Sequence, residues 1–173
     1  MDKTIKETKL QQIKVLVTRF HEHLAEYSNS TYKEDRLRND FLNPFFELLD
    51  WDVANRSGKS EDYRDVIIED SLEVKGNIKA PDYCFKIGKE RKFYVEAKKP
   101  SVDIKESSEP AYQIRRYGYT AGLPLCILTD FHEFAIYDTR IKPNKNDKAG
   151  VARTFYCTYE DYEKKYKNED YET

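Results

Sequence analysis

Asp82, Glu96 and Lys98 are the residues of this 173-residue chain whose types and spacing could do chemistry. They lie in the stretch APDYCFKIGKERKFYVEAKKP, residues 80–100, where an apolar run, Phe-Tyr-Val, breaks into Glu-Ala-Lys-Lys with no loop residue between. The stretch reads as a β-hairpin turning at Gly88. Tyr83, Phe85 and Ile87 then share one face of the first strand, and Phe93, Val95 and Ala97 share one face of the second. A three-residue loop, Gly88-Lys89-Glu90, joins these apolar sets by pairing Ile87 with Arg91, Phe85 with Phe93 and Tyr83 with Val95. A two-residue loop would mix the faces. The same register sets Asp82 opposite Glu96, with Lys98 two residues further along that face. Two carboxylates and an ammonium at one sheet end suit a hard divalent cation such as Mg²⁺, which takes oxygen ligands, keeps several waters and so leaves positions open for a reaction. The ammonium could position an attacking water or help deprotonate it. A solvated cross-strand salt bridge would use the same three side chains and no metal.

A hairpin of this kind needs a sheet and helices to hold it, and the flanking sequence supplies both. Ile13, Leu16, Val17, Phe20, Leu24 and Tyr27 recur at helical spacing over residues 5–27. Leu37, Phe41, Phe45 and Leu48 repeat the pattern after the polar break SNSTYKED, with Pro44 expected to kink this second helix. Strands are predicted at 66–69, 82–87 and 93–97. A helix opens at SSEP, residues 107–110, and stops at Gly122, before two further strands in PLCILTD and EFAIYD. The order α-α-β-β-β-α-β-β predicts an α/β domain over residues 1–141, with a central mixed sheet flanked by helices and two helices at its N-terminus. Residues 142–173 read as a polar loop, KPNKNDKAG, then the start of a helical linker capped by Thr158 and Asp161.

Composition bounds the function. Apolar residues make up 39% and aromatic residues 14%, enough for one packed domain, while 36% charged residues imply a heavily charged surface. Lys and Arg number 30 against 32 Asp and Glu, for a net charge of −2, so any nucleic-acid surface must be a local patch. Cys84, Cys126 and Cys157 lack metal spacing and are expected as buried thiols in a reducing compartment. His21, His23 and His132 lack ligand spacing and read as structural or surface residues. The N-terminus has no apolar segment of a signal peptide and no run is long enough to span a bilayer, so the expected location is cytoplasmic.

Pro81-Asp82, thirteen residues, then Glu96-Ala97-Lys98 resembles the metal-dependent nuclease motif PD-(D/E)XK. Gln113 and Tyr117, at i and i+4, resemble the Gln-x-x-x-Tyr element that follows this motif in one branch of that superfamily. KEDRLRNDFLNPFFELLDWDV resembles the opening helix of restriction-enzyme nuclease domains, with Glu34 ten residues before Pro44 and Asp50-Trp51 where that family usually has Gly-Trp. With VEAKKPSVDI, PAYQIRRYGYTAGLPLCILTDF and EFAIYD added, the likeness runs over about residues 10–140. It is strongest to the N-terminal nuclease domain of type IIG restriction enzymes.

That resemblance implies a restriction-endonuclease-like fold and Mg²⁺-dependent hydrolysis of phosphodiesters in double-stranded DNA. It implies that Asp82, Glu96 and the Ala97 backbone carbonyl ligate the metal, that Lys98 acts on the nucleophile, and that Glu34 bonds to metal waters. Gln113 and Tyr117 would support the site or touch DNA. Asp35 and Asp40 lie close to Glu34, and only helix phase separates the three. The family joins this domain to an adenine methyltransferase using S-adenosylmethionine and to a target-recognition domain, neither present in these residues. Alternatives are the nuclease domain of a type I-like restriction subunit, another defence nuclease, or a catalytically silent DNA-binding module of the same fold. Arg115-Arg116, Lys98-Lys99 and Arg91-Lys92 could track phosphates or be solvated faces.

Overall fold

The computed structural model describes residues 3–69, 72–74 and 77–167. Helix α1 (Lys3–Glu22) buries Ile13, Leu16 and Phe20, three members of the predicted apolar stripe, and is followed by the short α2 (Leu24–Tyr27). The second expected helix forms in three pieces: α3 (Glu34–Leu37), a π-helical turn (Arg38–Leu42) and α4 (Asn43–Leu48). Pro44 explains the break. It has no N–H to give the Asp40 carbonyl four residues back, and the Arg19 guanidinium donates to that carbonyl instead.

Among the described residues eight strands follow in chain order. They are β1 (Val66–Ile68), β2 (Leu72–Val74), β3 (Asn77–Lys79), β4 (Tyr83–Ile87), β5 (Glu90–Ala97), β6 (Leu125–Thr129), β7 (Glu133–Asp138) and β8 (Arg153–Thr158). β2 and β3 form a separate hairpin, and the main sheet has the order β1-β4-β5-β6-β7-β8. β5 and β6 are parallel and the other pairs antiparallel, which makes the sheet mixed. Parallel neighbours need a crossover, and helix α5 (Ser108–Thr120) provides it. Gly122 closes α5 as expected: at φ +68° it lets the Leu123 N–H reach the Gly118 carbonyl at 2.9 Å.

The sheet is covered on both faces. Tyr83, Phe85, Val95 and Ala97 pack with α1, the π-helical turn, α4 and the C-terminal helix α6 (Tyr162–Lys167), whereas Cys84, Tyr94, Cys126 and Leu128 pack under α5. The three cysteines are free and buried, as expected. Glu96 follows the parity of Tyr94, so it faces the α5 side at the end of β5.

Two expectations are corrected. Tyr83 pairs with Val95 and Phe85 with Phe93, but a bulge between Phe85 and Lys86 shifts the distal end, pairing Lys86 with Arg91 and Ile87 with Glu90. The hairpin loop is therefore Gly88-Lys89, with Gly88 at φ +61°, and Ile87 is exposed. The bulge absorbs the extra residue, so a two-residue loop coexists with the apolar register near the site. The stretch read as polar loop and linker supplies β8, the sheet's outer strand, and sends Tyr159 and Tyr162 into the core. Thr158 and Asp161 do cap the turn that follows, the Thr158 N–H donating to Asp161 Oδ2 at 3.2 Å. Residues 168–173 of the expected linker lie outside the described residues.

Candidate active site

The end of β5, the entry to β4 and the first turn of α3 meet at one edge of the sheet. Because Tyr83 pairs with Val95, the chain entering β4 sets Asp82 level with Glu96. Asp82 Oδ2 accepts the Ala97 N–H at 2.7 Å, and Oδ1 accepts from Arg38 Nη1 at 3.0 Å. Glu96 Oε1 accepts from Lys98 Nζ at 2.7 Å and from Gln113 Nε2 at 2.8 Å; Gln113 also donates to the Tyr117 hydroxyl at 3.0 Å. Helical spacing thus turns Gln113 and Tyr117 to the same side of α5, and that side faces Glu96.

Of the three acids near the start of the second helix, Glu34 is half-buried while Asp35 and Asp40 are exposed. The Glu34 carboxyl feels Asp82, Lys98, Arg38 and Lys99. Asp40 instead acts on Tyr27 and Tyr32. Sequence reasoning missed Arg38, which lies one helical turn beyond Glu34 and also reaches Glu69 at 3.7 Å. Arg115, read as a phosphate or solvent residue, is neither: it is 1% exposed and ion-paired to Asp147 at 2.8 Å.

Packing three carboxyls into a partly dry edge disfavours their charge. Burial, then Asp82, pushes Glu96 up to about 7. Burial also raises Asp82, against the bond from Ala97 and the charge of Arg38, and raises Glu34. For Lys98 burial works downward, but Glu96, Glu34 and Asp82 outweigh it and hold the ammonium above its ordinary value. Lys98 is therefore a charged donor at neutral pH, not a free base.

Glu96 Oε2 is buried and has no hydrogen-bond partner among the described residues. A bare carboxylate oxygen is costly there, and each Asp82 oxygen keeps a lone pair beyond its one bond. This donor set fits a divalent cation. A cleft of ≈ 500 Å³ opens over Lys98 and Gln113.

Asp130, His132 and Glu133 also bring ligand atoms within 4.8 Å of one another. Glu133, however, already accepts the N–H groups of Ile104 and Lys105 at 2.8 and 3.2 Å and the Tyr156 hydroxyl. Asp130 Oδ1 accepts the Glu133 N–H at 2.6 Å. These bonds tie the turn between β6 and β7 to the loop leading into α5. His132 packs against Phe20 and Tyr159, in keeping with a structural role. An apolar groove of ≈ 340 Å³ beside α1, α4 and α6 holds none of the candidate site residues.

The mixed sheet flanked by helices fits a class, the restriction-endonuclease-like α/β domain. Within it, 147 residues, 84% of this chain, are 41% identical to the type II restriction enzyme and methyltransferase RM.Eco57I of Escherichia coli. Identity at that level over that share of the chain supports a restriction-endonuclease domain of the kind found in type IIG enzymes. The matched region is 15% of that relative's length, so the chain spans a small part of it. No protein-family model and no solved structure matches. No helix among the described residues is long and apolar enough to cross a membrane.

Proposed function

We propose that this chain is the Mg²⁺-dependent endonuclease domain of a type IIG restriction-modification protein acting on double-stranded DNA in the cytoplasm. The methyltransferase, with its S-adenosylmethionine, and the target-recognition domain would lie elsewhere in the longer polypeptide. The observation that carries the reading is the unpartnered Glu96 oxygen beside Asp82 and Lys98. Asp82, Glu96 and the Ala97 carbonyl would hold the metal, which supplies Lewis-acid charge to the phosphate and lowers the pKa of a bound water. Lys98 donates to the incoming water or to a phosphate oxygen, where negative charge grows in the transition state. Glu34 accepts hydrogen bonds from ordered water. Gln113 and Lys98 fix the rotamer of Glu96 by sharing its Oε1. Water gives up one proton to solvent as its oxygen attacks phosphorus, the bond to the 3′ oxygen breaks, and that oxygen takes up a proton, leaving a 5′-phosphate and a 3′-hydroxyl.

Plasmid cleavage by the longer polypeptide tests this, with Mg²⁺ and with EDTA. EDTA should stop cleavage, and Glu96→Ala should abolish it while the far-ultraviolet dichroism stays unchanged. Cleavage that survives either treatment removes the metal or Glu96 from the mechanism.

A further inference from the structure

The cleft over Lys98 and Gln113 continues beyond the catalytic cluster. A second stretch, ≈ 450 Å³, follows the flank of α5 past Tyr112 and Arg116 to Lys145. A third, ≈ 800 Å³, lies between Lys105 and the 145–153 segment. Ser108 borders all three, Gln113 joins the first to the second, and Lys145 joins the second to the third. Together they form one path.

No carboxylate among the described residues neutralises the cations along it, although Arg153 Nη1 donates to the Lys105 carbonyl at 2.9 Å. Lys105, Arg116, Lys145, Lys148 and Arg153 pair with no carboxylate among the described residues. Elsewhere on the surface, Lys59, Lys89, Lys92 and Arg140 are paired with Asp65, Asp62, Glu90 and Asp138. Aromatic faces hold several of these cations in place: Arg116 lies 5.6 Å from the Tyr112 ring, and Lys105 and Arg153 lie 5.6 and 5.2 Å from the ring of Tyr156. The loop that carries Lys145 and Lys148 is fixed from beneath. Buried Arg115 takes Asp147, which also accepts the Asn144 N–H at 2.9 Å, and the Tyr137 hydroxyl bonds the Ala149 carbonyl at 3.0 Å. Asp147 being neutralised, Glu106 and Glu109 are the acids left on the path.

A fixed row of unpaired cations leading from a phosphodiester-cleaving edge suits a polyanion that enters that edge. We propose that this groove carries the phosphate backbone of the bound DNA away from the catalytic cluster, with Lys105, Arg116, Lys145, Lys148 and Arg153 as its counter-charges. The proposal rests on the nuclease reading above and adds where the strand runs.

The test is binding of this chain to a short mixed-sequence duplex in EDTA, so that nothing is cut, across a salt series. The variant Lys145→Ala/Lys148→Ala alters exposed side chains and leaves the Arg115–Asp147 tie intact. Its plot of log affinity against log salt should be shallower than wild type by about 1.8, roughly 0.9 for each phosphate no longer neutralised. Lys89→Ala/Lys92→Ala, at the far end of the β4–β5 hairpin, should keep the wild-type slope. An unchanged slope for the first variant, an equal change for the second, or no salt-sensitive binding by wild type at low salt overturns the track. Glu96→Ala separates the two readings: it should lose cleavage in the longer polypeptide and keep the binding slope. Cleavage surviving Glu96→Ala sinks the catalytic assignment and leaves the track to its own test.

Discussion

Glu96 is poised between two charge states, and that has a measurable cost. Its carboxyl ionises at 4.5 when unperturbed and at about 7 in the fold, with burial the first cause and Asp82 the second. A raised acid stabilises the fold through its neutral form. That stabilisation is complete below about 4.5 and is lost as pH rises through about 7. In EDTA, the urea-unfolding free energy of wild type should therefore fall relative to Glu96→Gln as pH climbs through this window, by roughly 3 kcal/mol at most. A pH-independent difference between the two would show that Glu96 is not held neutral. The same proton must leave before a metal can bind, so Mg²⁺ affinity should tighten as pH rises through about 7. It should remain modest without DNA, because two carboxylates and waters do not saturate an octahedral ion. Calorimetry giving sub-micromolar Mg²⁺ affinity without DNA would point to a structural ion instead. Asp82, Glu96 and Lys98 could be brought together from sequence because strand register is a local periodicity, whereas Gln113 and Tyr117 are tied to them only by resemblance to the Gln-x-x-x-Tyr element. Arg38 could not: its partner Asp82 lies 44 residues away, and no periodicity links them. Arg115 deceived for the same reason, since its partner Asp147 lies 32 residues on in a loop.

At the scale of elements, the approach of α5 to the sheet depends on Gly118. A Cβ there would lie 2.5 Å from Cys126 Sγ and 2.6 and 2.7 Å from Thr139 Cγ2 and Cβ, all held by β6 and the end of β7. In an exposed helix Gly→Ala stabilises by about 1 kcal/mol. Here the helix must back away from the sheet, and overpacking costs about 1–3 kcal/mol. Gly118→Ala should thus lower stability, and because Gln113 rides on α5, it should also weaken Mg²⁺ binding. A variant as stable as wild type in urea would show that α5 has room to shift. Sequence offered no sign of this contact, because a glycine within a helical pattern looks the same whether or not a neighbour presses on it. The helices and central strands were legible from their periodicity, and Asp50, standing where the related family has Gly, does occupy a left-handed turn at φ 71°. β8 was not legible: Arg153–Thr158 alternates poorly, with only Cys157 fully buried, as suits the outer strand of a sheet. The hairpin bulge escaped as well, since one extra residue can be absorbed in a loop or in a strand.

At the scale of the whole molecule, the proposed site and backbone track come with little, among the described residues, that could read bases. Direct readout needs a helix, ribbon or loop that fits a groove. Among the described residues, α1, the π-helical turn, α4 and α6 are committed to packing one face of the sheet and α5 to packing the other. What remains is the short helices α2 and α3, the small β2–β3 pair, short connections and the 145–153 segment, and that segment offers cations suited to phosphate. Phosphate contacts give affinity without sequence information. A net charge of −2 keeps even that affinity low away from the groove. The expected behaviour of this chain alone is weak, salt-sensitive binding with no preferred sequence and little or no cleavage. Specificity would come from a recognition domain that holds the nuclease at a fixed reach. Competition among many duplex sequences across a salt series checks this directly. One sequence favoured by more than about tenfold, or roughly 1.4 kcal/mol, at every salt concentration would mean that these residues read bases themselves. The connections around α5 would then be where to look for the readout.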